Sequence, residues 1–67
     1  MAEDAWKAHI AYLEDELTKI DERANKLEAM IPILENEQKK HSLQEHLKQL
    51  RDEASEHRKY LLLVKHN

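Results

Sequence analysis

Cysteine, glycine and phenylalanine are missing from this chain altogether, and proline and tryptophan occur once each. Without cysteine there is no disulfide, and a structural zinc site of the usual kind loses its thiolate ligands. Without glycine no flexible loop can cradle a phosphate, and no helix can end on a left-handed glycine cap. Strand-forming residues are scarce: Val64 is the only valine and Thr18 the only threonine. The longest apolar run, Tyr60 to Val64, falls far short of the roughly 20 residues that cross a bilayer. The opening stretch carries Glu3, Asp4 and Lys7 in place of the apolar core of a signal peptide. These absences fit a cytoplasmic or nuclear setting, and fit a fragment or an engineered chain equally.

What remains is helix-forming. Charged residues make up 37% of the 67 positions, with both signs interleaved to a net −3, and Ala, Leu, Glu, Lys, Gln and Arg dominate. Such a length allows one domain, and a core of that size supplies only about 3–5 kcal/mol without disulfides, metal or oligomerisation. Oligomerisation is the route left open.

The hydrophobic pattern points the same way. Trp6, Ile10, Leu13, Leu17, Ile20, Ala24, Leu27, Ile31 and Leu34 follow one another in alternating steps of four and three. That is an a/d heptad seam, the mark of a helix that packs on another helix. Carried onward, the seam would meet Gln38, His41, Glu45 and Lys48, all polar. A second seam starts instead out of phase, at Leu43, Leu47, Leu50, Ala54, His57, Leu61 and Val64. Nine residues separate Leu34 from Leu43, about two and a half helical turns, so one straight helix would show its two stripes on opposite sides. A chain reversal lets both face one core.

The predicted fold is therefore all-α: an antiparallel helical hairpin with heptad seams, associating into a coiled coil or four-helix bundle. The expected elements of this single domain, 1–67, are a first helix over about 3–38, kinked at Pro32, a turn within 35–42, and a second helix over about 43–65. Ser42-Leu43-Gln44-Glu45 has the form of a capping box, and Lys39, Lys40 and His41 would suit the negative end of the preceding helix. In this arrangement Trp6, Ile10 and Leu13 overhang. Two alternatives compete. A hairpin turning at Ile31-Pro32-Ile33 would set Leu17 near Leu47, Leu13 near Leu50 and Ile10 near Ala54, but offers the second helix no evident N-cap. A single long helix, kinked at Pro32, would need separate partners along its two stripes.

Chemistry is thinly represented. Ser42 and Ser55 lack the strained turn of a nucleophile site, so no catalytic residue, cofactor or small-molecule substrate is expected. The pairs His41 with Glu45 and Glu53 with His57 lack the Glu-x-x-His spacing of dinuclear carboxylate bundles, so no metal site is expected either. The acidic net charge and the short basic runs at Lys39-Lys40 and Arg58-Lys59 argue against nucleic acid. Mixed charges around the polar face argue against a membrane surface. His57 sits in the second seam, where protonation of its imidazole would put charge among apolar neighbours. The width of the Tyr60–Val64 run suggests contact with further helices.

The sequence thus predicts a structural self-association module, an oligomerisation scaffold whose sixteen seam residues form its interface and whose partner is a second copy of itself. The alternative is an adaptor hairpin whose seam is completed by a helix of another protein.

Overall fold

The computed structural model of the chain describes residues 2–66. Met1 and Asn67, which the single domain over 1–67 includes, lie outside the described residues. Among those residues there are two long helices and no strand: α1 spans Ala2–Met30, α2 spans Glu37–His66, and a 3₁₀ turn over Ile31–Ile33 follows α1 directly. The chain is all-α and folds back on itself as an antiparallel pair, in a rod 54 Å long and 15 by 11 Å in section.

The first α-helix ends earlier than the expected 38, and Pro32 is the reason. In a continued α-helix it would lack an amide and its ring would clash with the carbonyl of Glu28. The α-helix ends at Met30 rather than near residue 38. In place of a kink, Pro32 occupies the start of the 3₁₀ turn, where no amide is required of it. The turn closes on a hydrogen bond from the Leu34 amide to the Ile31 carbonyl at 3.2 Å, and Leu34 itself is extended (φ −74°, ψ 136°). No described residue adopts a positive φ, so the glycine-free chain reverses without a left-handed cap.

Asn36 then starts α2. Its side-chain Oδ1 accepts the Lys39 amide at 3.0 Å and its carbonyl accepts the Lys40 amide at 3.0 Å, the pattern of an N-cap. The Ser42 to Glu45 box therefore lies inside α2, not at its head. Ser42 is exposed there, and Glu45 sits 3.9 Å from His41. Lys39, Lys40 and His41 occupy the first turns of α2 rather than the end of α1, and Lys40 lies 3.8 Å from Glu37. Asn36→Ala is expected to cost about 0.5–2 kcal/mol in urea denaturation, while Ser42→Ala stays within about 0.5 kcal/mol. Equal losses from the two would contradict the observed start of α2.

Although α1 ends at Met30, the helices are not aligned as a symmetric hairpin about Pro32 would align them. Glu28, two residues from the end of α1, pairs with Arg51, fourteen residues past Glu37. The connection continues beyond the end of α1 before it reverses, so the first turns of α2 descend beside the connection. Leu34 and Leu43 accordingly line one groove at the closed end. The pairing of Leu13 with Leu50 does not form; Leu13 packs with Leu61 and Val64 instead. The alignment is the one that brings the two seams together, with Leu34 beside Leu43.

Candidate association surface

The seam residues form the inside of the hairpin. Ile20, Ala24, Leu50 and Ala54 make a buried central cluster with Leu17, Leu27 and Leu47 packed against it. Leu13, Leu61 and Val64 make a second cluster toward the open end, flanked by Ile10 and again by Leu17. His57 is half-buried and falls in sequence between Ala54 of the first cluster and Leu61 of the second. Ile31, Leu34 and Leu43 are half-buried near the turn. The expected overhang shrinks to Trp6, because Ile10 and Leu13 find partners near the end of α2. Trp6 stays 42% exposed, with its ring 6.0 Å from that of His9. It does not join the interior.

That interior is thin. Only the alanines, Ala24 and Ala54, are wholly shielded; every larger core residue keeps an edge in solvent. Two helices have no third layer to cover those edges, and seven seam residues between Ile10 and Leu47, together with His57, remain half-buried.

Heptad position divides the outside into two flanks. On the first, Glu14, Asp21 and Glu28 recur every seven residues along α1, and Arg51, Arg58 and Lys65 do so along α2. These residues join in three rungs: Glu14 with Lys65 at 3.6 Å, Asp21 with Arg58 in a two-oxygen contact at 2.7 and 2.9 Å, and Glu28 with Arg51. Residue numbers in every rung add to the same value, so the ladder reports one continuous register. These are e positions, which face each other in an antiparallel pair. Each rung is solvent-accessible and worth about 0.2–1 kcal/mol at most; its larger effect is to disfavour other alignments. Leu62 lies on this flank, in a groove with Leu17, Leu61, Arg58 and Lys65.

The ladder is absent from the sequence expectations because its partners lie on different helices, 23 and 37 residues apart in two of the rungs. Within α1, Asp15 lies 3.2 Å from Lys19, and with Glu16 at 3.8 Å it raises the Lys19 pKa, the Asp15 hydrogen bond being the largest cause. The seven-residue recurrence of one sign in each half of the chain was the signal available.

The second flank carries g and c positions and has another character. Among the described residues, the interhelical ion pairs all lie on the first flank. The second exposes Tyr12, Tyr60 and Leu63 toward the open end and Met30 near the turn. Between these patches α1 presents Glu16, Lys19, Arg23 and Lys26, and α2 presents His46, Gln49, Glu53 and Glu56. Glu16 apart, which pairs with Lys19, the charge order of the ladder is inverted on this side. Of the expected wide apolar run, Leu61 and Val64 are buried and Tyr60, Leu62 and Leu63 are not.

Among the described residues, no three His, Asp or Glu side chains gather where they could hold a metal ion. No described helix is long and apolar enough to cross a membrane. The chain matches no protein-family model, no curated protein and no solved structure, so the surface is read from its own residues.

Proposed function

We propose that the chain is a structural self-association module without catalytic activity, whose work is to bring copies of itself, and whatever they carry, into a fixed helical bundle. The observation that carries this reading is the unfinished interior: seam leucines and isoleucines that keep an exposed edge, beside a flank bearing Tyr12, Met30, Tyr60 and Leu63 in solvent. A domain this small has little core to spare, and covering those edges with a second hairpin adds a layer that neither has alone. A homodimer is the simplest closed assembly that does so.

The test is sedimentation equilibrium of the isolated chain at micromolar concentration, with thermal melting at several concentrations. Self-association predicts a mass of two or more chains and a midpoint that rises with concentration. A folded monomer whose midpoint is independent of concentration would overturn it. The adaptor reading, in which a heterologous helix completes the bundle, draws on the groove between Leu17, Leu61 and Leu62, an apolar seat for a further amphipathic helix. It predicts a monomer whose melting sharpens only when such a helix is added.

A further inference from the structure

Resting on the self-association reading, the geometry points to which face joins and how: we infer that two copies pack through the g and c flank, about a two-fold axis parallel to the long axis of the rod. Two observations select this flank. It carries Tyr12, Tyr60, Leu63 and Met30 in solvent, whereas the opposite flank is spanned by the Glu14–Lys65, Asp21–Arg58 and Glu28–Arg51 rungs. Its outline, 54 by 15 Å, is on the order of 800 Å², the area each partner contributes to a stable dimer.

Charge then selects the symmetry. Face-to-face packing of two identical rods allows a two-fold axis along the rod or one across it. The axis along the rod lays α1 of one copy over α2 of the other at the same height. Arg23 then meets Glu53 of the second copy, and Lys19 meets its Glu56. The axis across the rod lays α1 over α1 and α2 over α2, which sets Lys19 and Arg23 against their own kind and Glu53 against Glu56. Like charges facing across an interface are strongly disfavoured, so the first arrangement is the complementary one. It also places each Tyr12, Tyr60 and Leu63 patch on its counterpart and keeps every neighbouring helix antiparallel, as in an up-down bundle. The local partners of these charges do not block the contact. Lys19 is held by Asp15 and Glu16, and Glu56 by Lys59, in exposed pairs that rearrange at little cost.

The experiment uses the whole chain in two arms. In sedimentation equilibrium, Arg23→Glu and Glu53→Arg are each expected to weaken the dimer by about tenfold or more, and an equimolar mixture of the two to regain it. Both positions are exposed, so circular dichroism should show unchanged helicity. Because the chain has no cysteine, Glu35→Cys gives a single nitroxide label at the closed end. Electron–electron distance measurement should give about 25 Å or less between the two labels if closed ends lie together. A rod 54 Å long with ends opposed would give about 45 Å or more. A dimer that ignores both charge reversals, or shows the long distance, overturns the inference and leaves self-association standing. A wild-type monomer overturns both.

Discussion

Leu50→Ala should nearly abolish the folded state of the isolated chain. Leu50 is 6% exposed and shares the central cluster with Ile20, Ala24 and Ala54. Truncating such a leucine costs about 2–5 kcal/mol, the lost transfer energy plus a cavity that rigid neighbours only partly close. Here the neighbours are two alanines and an isoleucine on helices already in contact, so little relaxation is available. A core of this size supplies only about 3–5 kcal/mol in the first place. Urea denaturation followed by circular dichroism checks this, with Leu62→Ala as the comparison. Leu62 is 59% exposed, and its truncation should stay within about 0.5 kcal/mol. Similar midpoints for the two variants would mean that the cluster around Leu50 is not the core.

The residues of that core were legible before any coordinates, because burial in a helical pair follows directly from the alternating steps of four and three. Ala24 and Ala54, unremarkable as alanines, were placed in the interior by phase alone, and they are its most buried residues. The alignment was not legible: the expected hairpin left Ile10 and Leu13 overhanging, whereas both pack near the end of α2, because heptad seams match equally well when slid by seven residues. The turn was harder, since two segments offered plausible ends. Ser42 and Glu45 have the capping-box spacing, but a local pattern has no effect where the backbone amides are already bonded within a helix. Pro32 with Asn36 is the combination that decides, one residue ending α1 and the other supplying the cap that a turn here was thought to lack. Trp6 shows the limit of periodicity. It keeps perfect phase with the seam, yet α2 ends before it can be covered.

The register itself can be tested by overpacking. In the register set by the Glu28–Arg51 and Asp21–Arg58 rungs, Ala24 stands opposite Ala54, and both are fully buried. Ala24→Leu has no space for its added carbons and must push the helices apart at their closest approach, which is expected to cost about 1–3 kcal/mol. Helix propensity cannot account for such a loss, because alanine and leucine are both among the best helix formers. The informative variant is the double one, Ala24→Leu with Ala54→Leu, which loads both sides of the same layer. If Ala24 and Ala54 share that layer, the first substitution already separates the helices, so the double variant should be more stable than the sum of the single losses by about 0.5–3 kcal/mol of coupling in a double-mutant cycle. Simple additivity would separate Ala24 from Ala54, and with them the alignment that sets Arg23 and Glu53 at one height on the exposed flank.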